Sequence, residues 1–467
     1  MLFNSGAFLK FFAAFLLLYY LVRGDLRARN LLIVAASWLF YAWWDPRFLA
    51  LLVFSSLMDF TIGLGLDRWQ APRHRKAMVT LSIMANLAIL GFFKYYGFFV
   101  QSFSESLAAL GISMNLRTLE IVLPAGISFY TFQSLGYTID VYRGDIKAAR
   151  NPVHFLAFVS FFPHLVAGPI MRASRLMTQF GQTRRITLPM IQEGIWLGLW
   201  GMFKKVVLAD NLAPLVEMVY AGESPSGPMV LLGTIAFGFQ IYCDFSGYSD
   251  IARGTARILG FDLMHNFNLP YAATSIRDFW RRWHIGLSTW LRDYLYISLG
   301  GNRGSSARTC LNLFLTMVLG GLWHGAAWNF VLWGIWHGAG LIVNRLWNPQ
   351  SREVERKLGR MFNWAVTMLF ILYGWLLFRA NSWEHIVSLT AAFGRFTLPA
   401  WTSSYCINLV VFTLPLIGIE LWQKRSGDVL VALGLPAWAR SGLQGILLIA
   451  IILFWETEKV QFIYFQF

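Results

Sequence analysis

Apolar residues run along the chain in long blocks broken by short polar stretches. The blocks lie roughly at 7–22, 31–44, 48–66, 78–100, 119–142, 153–170, 190–208, 229–243, 309–326, 328–347, 361–378, 405–422 and 441–455. A helix that crosses a bilayer needs about 20 predominantly apolar residues. Several blocks approach that length, and the shorter ones suit re-entrant or half-buried elements. The pattern predicts an all-α polytopic membrane protein with about eleven spanning helices. The first block is interrupted only by Lys10. It has no basic stretch before it and no small-x-small site after it, so it reads as an uncleaved first span. No long Pro/Ser linker, appended soluble segment or repeat array divides the sequence, which predicts one membrane domain over residues 1–467.

Composition narrows the class. Charged residues make up 13% of the 467, against about 25% in soluble proteins. That excludes an ordinary soluble enzyme, a disordered chain and a coiled coil. Aromatics reach 17%, with 21 Trp and 40 Phe. This is more than lipid-facing helices need, so aromatic surface is expected in the interior and at the interfaces.

The net charge of +15 does not point to nucleic acid in such a chain. Lys and Arg gather instead in alternate loops that face anionic lipid. Arg23, Arg27 and Arg29 follow the first block, Arg68, Arg73, Arg75 and Lys76 the third, and Arg143, Lys147 and Arg150 the fifth. Arg352, Arg356, Lys357 and Arg360 precede the eleventh block, and Lys424 and Arg425 follow the twelfth. The intervening loops, around Asp45-Pro46-Arg47, 101–118 and 380–404, are poorer. With the basic loops in the cytoplasm, both termini fall outside it. Cys243, Cys310 and Cys406 are widely spaced, with no CxxC, so neither a disulfide framework nor a zinc site is indicated.

Between about 171 and 308 the pattern breaks. Aromatics of membrane grade alternate with Arg172, Arg175, Arg184, Arg185, Lys204, Lys205, Asp210, Asp244, Asp250 and Arg253. Such residues must face protein, water or the interface. Irregular helix at membrane depth is tolerated only where it is buried or lines a cavity, so a cavity on the cytoplasmic side is expected here.

Three constellations carry candidate chemistry. In the first, Ser275 followed by Asp278 resembles a capping pair. Ile276, Phe279, Trp280, Trp283, Leu287, Trp290, Leu291 and Tyr294 then recur at helical spacing as one apolar stripe. Arg277, Arg281, His284 and Ser288 recur on another face. Either this is an interfacial helix with a solvated basic side, or the basic face meets a phosphate-bearing acyl donor.

The second is Gly320-Gly-Leu-Trp-His324-Gly-Ala-Ala-Trp-Asn329. An ionisable residue in so apolar a segment is a functional candidate. A neutral imidazole there suits a general base, and flanking glycines allow close backbone approach. A buried histidine bonded to a carbonyl is the alternative. His337 lies thirteen positions on, about 220° around a continuous helix, and is expected to be the more structural of the two.

The third is Tyr242-Cys-Asp244-Phe-Ser-Gly-Tyr-Ser-Asp250-Ile-Ala-Arg253. It reads either as a substrate-positioning or proton-handling site, or as buried ion pairs bracing a broken helix. Pro163-His164 opens a kinked element, with His164 a minor candidate. HExxH, P-loop and GxSxG patterns are absent from the sequence.

These segments resemble the membrane-bound O-acyltransferase family. Asp278-Phe-Trp-Arg-Arg-Trp-His284 and Gly320-Gly-Leu-Trp-His324-Gly match its two histidine motifs. Tyr242–Asp250, Phe162–Pro169, the opening Met1-Leu-Phe-Asn-Ser and the ending Phe462-Ile-Tyr-Phe-Gln-Phe467 are similar to its bacterial, alginate-type branch. The resemblance implies a ring of spanning helices, with re-entrant and interfacial helices, around a central funnel. It implies His324 as the catalytic residue and His284 as the second. The donor would be a cytoplasmic thioester, acetyl-CoA or an acyl-carrier thioester, with no bound metal or prosthetic group. The acceptor would be a polysaccharide reached through a periplasmic acetyltransferase or carrier-like partner, which places the chain in the bacterial inner membrane. From the residues themselves, apart from the resemblance, Arg277 and Arg281 would contact the donor, Asn329 and the indole N–H of Trp323 or Trp328 would serve as oxyanion or orienting donors, and Asp244 and Asp250 would border the substrate. A transporter, or a scaffold subunit of a polysaccharide complex, competes with this reading.

Overall fold

Local chemistry marks where many helices begin. Ser5 accepts a hydrogen bond from Phe8 N and opens α1 (Gly6–Val22). Asp25 accepts from Arg27 N and Ala28 N and opens α2 (Leu26–Ala42). Asn151 does the same for α7 (Pro152–Ser160). Side-chain oxygens at these positions satisfy amides that have no partner within the helix.

The computed structural model describes residues 1–112, 119, 121–222, 225–347, 357–455 and 462–463. Arg352, Arg356 and residues 464–467 of the C-terminal motif lie outside them. The regular structure of the described residues is helical, with no strand among them. They form two compact units, one of residues 1–187 with 259–263, the other of 188–258 with 264–467.

The first unit also holds α3 (Arg47–Arg68), α4 (Pro72–Leu90), α5 (Tyr96–Ala109), α6 (Ile127–Arg143) and α8 (Ala173–Phe180). Asp59 of α3 is fully buried. Ser82 Oγ donates to it at 2.6 Å and Asn86 Nδ2 at 2.9 Å, both from α4, and Ser134 Oγ donates from α6. One carboxylate thus ties three helices together. A buried acid is tolerable only when bonded in this way.

Two of the basic loops do structural work. Arg75 donates to the carbonyls of Leu66, Val141 and Tyr142, and Arg150 pairs with Asp67. The basic segments after the third and fifth blocks therefore meet at one end of the unit. Arg29 is buried and donates to Gln182 O and Phe180 O, satisfying the end of α8. The segment after α7 leaves the helix at Phe161 and runs in turns to Gly168, consistent with the kinked element expected there.

The second unit contains α9 (Leu188–Met202), a π-helical stretch Phe203–Ala209, α10 (Asp210–Tyr220) and α11 (Gly227–Ile258). After α12 (Ile276–Arg282) and α13 (Ile285–Trp290) comes a second π-helical stretch, Leu291–Tyr296. There follow α14 (Ser306–His324), α15 (Trp328–Trp347), α16 (Lys357–Arg379), α17 (Trp383–Ala391), α18 (Thr402–Ser426) and α19 (Ala437–Leu453). Glycines let α9 and α11 touch backbone to backbone. A Cβ on Gly201 would stand 2.6 Å from Gly247 O, and one on Gly194 2.7 Å from Gly254 O.

Among the described residues, five helical stretches are long and apolar enough to cross a membrane: 47–68, 72–109, 227–258, 359–379 and 402–426. The shorter α1 and α19 are also apolar. The chain is an all-α polytopic membrane protein.

Candidate active site

Lys204, Lys205, Asp210, Asp244, Asp250 and Arg253 of the middle third pair with one another. Lys205 lies in the π-helical stretch Phe203–Ala209, where its ammonium sits 2.7 Å from both Asp210 Oδ1 and Asp244 Oδ1. Its neighbour Lys204 is 2.7 Å from Asp250 Oδ2 and 2.9 Å from Ser246 Oγ. Arg253 completes the group at 3.2 Å from Asp250 Oδ1. A π-bulge adds a residue to the turn, and here consecutive lysines both reach carboxylates of α11. Asp244 Oδ2 also accepts from Ile463 N at 2.7 Å. The ion pairs expected of this segment are present, but the helix that carries it, α11, is unbroken, and the irregular helix that the pairs brace is the π-helical stretch Phe203–Ala209 opposite it.

The helix expected over 275–296 is interrupted. Ser275 caps α12 as anticipated, accepting from Asp278 N. But α12 stops at Arg282, and His284 takes a left-handed backbone, φ 43°. That conformation is costly for a residue with a Cβ. Asn266 holds it in place: its carbonyl accepts from Ile285 N at 2.8 Å and its Oδ1 from Gly286 N at 3.1 Å. Arg277, Arg281 and His284 therefore do not share a face. The arginines are exposed, whereas His284 is fully buried. The turn is what swings the imidazole inward. Burial alone lowers the pKa of His284 to about 3, so the ring is neutral at physiological pH.

The same turn brings the two motif histidines together. The rings of His284 and His324 are 6.2 Å apart. Phe245 lies edge-on to His284 at 4.6 Å, and Trp323 lies 5.7 Å from His284 and 5.1 Å from His324. Trp333 and Phe378 close the other side of His324, at 5.0 and 5.4 Å. His324 is 5% exposed. Phe462, beside the Ile463 anchor, packs on Tyr248 at 4.9 Å and on Phe245 at 6.1 Å.

His324 ends α14, and Gly325 to Ala327 separate it from α15. The glycines serve the packing of this pair. A Cβ at Gly321 would lie 2.2 Å from Phe330 O, and one at Gly325 2.1 Å from the Phe330 ring. Because the helix breaks there, the 220° argument for His337 fails. His337 sits on α15 and shares Trp333 with His324, its ring 4.6 Å from that indole. Asn329 is committed as well: its amide donates to Phe378 O at 3.3 Å and Ala380 O at 2.9 Å. It anchors the Phe378 segment beside His324. His164 belongs to the first unit, where its Nε2 lies 2.8 Å from Gln133 Oε1. Sequence reasoning missed Asn266, one of two asparagines in the stretch His265-Asn-Phe-Asn-Leu, which carries no motif signal.

The fold and site define a multi-pass membrane protein built around a buried, aromatic-walled histidine pair. Residues 147–384 match the model of the membrane-bound O-acyltransferase family. The chain is 45% identical over 420 residues to the probable alginate O-acetylase AlgI of Azotobacter vinelandii, covering 89% of this chain and 83% of the relative. It is 44% identical over 435 residues to the Pseudomonas aeruginosa protein of the same name, covering 90% and 81%. The peptidoglycan O-acetyltransferase of Helicobacter pylori is 36% identical over 382 residues, covering 76% and 72%. The chain belongs to the membrane-bound O-acyltransferase family. It is an O-acyltransferase.

Proposed function

We propose that this enzyme moves an acetyl group from a cytoplasmic thioester, acetyl-CoA or an acyl-carrier thioester, toward a secreted or cell-surface polysaccharide such as alginate. A periplasmic acetyltransferase or carrier-like protein receives the group on the way. The observation that carries this reading is the His284–His324 pair, 6.2 Å between rings inside an aromatic wall. Acyl transfer from a thioester to a hydroxyl needs a base for the incoming proton and a site that excludes water. His324 takes the hydroxyl proton as the oxygen attacks the acyl carbon, and His284 orients the same group from the opposite side. Asp244 and Asp250 border this site through α11 and keep its backbone in place. The family match straddles both compact units, which supports residues 1–467 acting as one functional domain.

The test is complementation. In a strain lacking its own alginate O-acetylase of this family, with its periplasmic partner intact, expression of the chain restores ester content in the secreted polymer. Correctly inserted protein that restores none would overturn the assignment. A transporter or scaffold would tolerate loss of both histidines.

Arg277 and Arg281 project as exposed cations from α12, the short helix that ends two residues before His284. They suit CoA phosphates or an acidic carrier. Arg277→Glu combined with Arg281→Glu raises the apparent KM for the donor by about tenfold, with unchanged membrane abundance. An unaltered KM removes these residues from the donor site.

Reporter fusions check orientation. Both termini report periplasmic and an insertion after Arg75 reports cytoplasmic, because Arg/Lys-rich loops stay inside. A cytoplasmic C-terminal reporter would contradict the arrangement.

A further inference from the structure

We propose that Trp280, Trp333 and His337 bind the carbonyl oxygen of the acyl group beside His324. The inference rests on the acyl-transfer reading. The three side chains pack on one another in the second unit. Ring separations are 4.6 Å for Trp333–His337, 5.2 Å for Trp280–His337 and 5.6 Å for Trp280–Trp333. Trp333 also lies edge-on to His324 at 5.0 Å. Trp333 and His337 are each 1% exposed. Among the described residues, Trp280 Nε1, Trp333 Nε1 and His337 Nδ1 are buried without a hydrogen-bond partner.

Buried donors are almost always satisfied, so each exception asks for an explanation. Three in mutual contact, one of them against the catalytic ring, ask for a common one. An indole N–H only donates, so the missing partner of the two tryptophans is an acceptor, and His337 Nδ1 joins them as a donor in the tautomer that carries its proton on that nitrogen. The surroundings are aromatic. His337 packs on Phe370 at 5.6 Å, and its Nε2 would lie 2.7 Å from a Cβ at Gly374, so α16 carries glycine where that ring sits. No arginine or lysine is among these ring contacts to fit a phosphate. An uncharged carbonyl oxygen fits, and donors of this kind strengthen as that oxygen gains charge.

The step balances. The acceptor hydroxyl oxygen bonds to the acyl carbon and its proton passes to His324. The carbonyl electron pair moves onto the oxygen held by the three donors. Collapse of that tetrahedral species breaks the carbon–sulfur bond, and the departing thiolate takes the proton from the imidazolium. The products are an ester and a thiol.

Trp333→Phe and Trp280→Phe keep a ring and remove the N–H. Each should lower kcat by about 10²-fold, the scale for losing one such donor. Donor KM should change little. Thermal stability in detergent should hold or rise, because an unsatisfied buried donor has been removed. Binding provides a second readout with two unreactive CoA derivatives. One is the ketone isostere, with CH2 in place of sulfur. The other is the S-ethyl thioether, which has no carbonyl. Trp333→Phe should weaken the ketone selectively. Equal binding of the ketone by wild type and variant overturns the proposal, as does activity that falls only in step with stability. His324→Ala is run alongside. Full activity in both phenylalanine variants with an inactive His324→Ala refutes this inference alone, whereas an active His324→Ala refutes the acyl-transfer reading beneath it.

Discussion

His324→Ala is expected to abolish polymer acetylation while the protein still inserts at normal abundance. The imidazole stands between Trp323, Trp333, Phe378 and His284 at ring distances of 5.0 to 6.2 Å, and it is nearly sealed from solvent. In so dry a site no bulk water can replace it as the proton acceptor. Loss of a general base costs about 10²–10⁴-fold. His324→Gln keeps the volume and some hydrogen bonding but no basicity, so it should be nearly as inactive. That pairing separates chemistry from packing, because a packing role would be rescued by glutamine. The measurement is ester content of the secreted polymer at matched membrane abundance. Wild-type acetylation in His324→Ala would return the transporter and scaffold readings.

Lys205→Met should produce the largest loss of stability. The ammonium serves two carboxylates, Asp210 and Asp244, at 2.7 Å each, and all three side chains are at most 8% exposed. Without it, two buried acids are left with no cation between them. Breaking a buried pair from one side costs about 3–5 kcal/mol. The variant should show little folded protein and a lower melting temperature in detergent. Adding Asp210→Asn and Asp244→Asn to Lys205→Met should recover most of the loss, since no unpaired charge then remains. Failure of the triple variant to recover would mean that the charges act through something besides mutual pairing. Asp244 also holds Ile463 N, so the triple variant tests whether the asparagine amide oxygen keeps that C-terminal contact.

Much of this was legible along the chain. The apolar blocks mark the helices because a spanning segment must satisfy its own backbone and present an apolar surface, and both demands are local. The caps at Ser5, Asp25, Asn151 and Ser275 are local in the same way. His324 stood out because an ionisable group amid tryptophan and glycine is rare enough to be informative. Asp244, Asp250 and Lys205 announced a need for partners, since charges in apolar sequence are unstable alone.

What periodicity could not reveal were the interruptions. Helical spacing placed His284 beside Arg277 and Arg281, and a continuous helix turned His337 away from His324. Both inferences fail at a single break, one at the left-handed His284 and the other at Gly325–Ala327. Neither break is dictated by its own few residues. The first is held by Asn266, eighteen positions upstream of His284, through bonds to Ile285 and Gly286. The second lets α14 and α15 pack through Gly321, Gly325 and Phe330. A residue can be kept in a strained conformation only by contacts that outweigh the strain, and those contacts come from elsewhere in the chain. The amino-acid sequence by itself therefore determined the membrane class, the helical blocks and His324 as a candidate for the chemistry. Only tertiary structure decided which groups face that histidine, because that depends on where the helices break and what holds them broken.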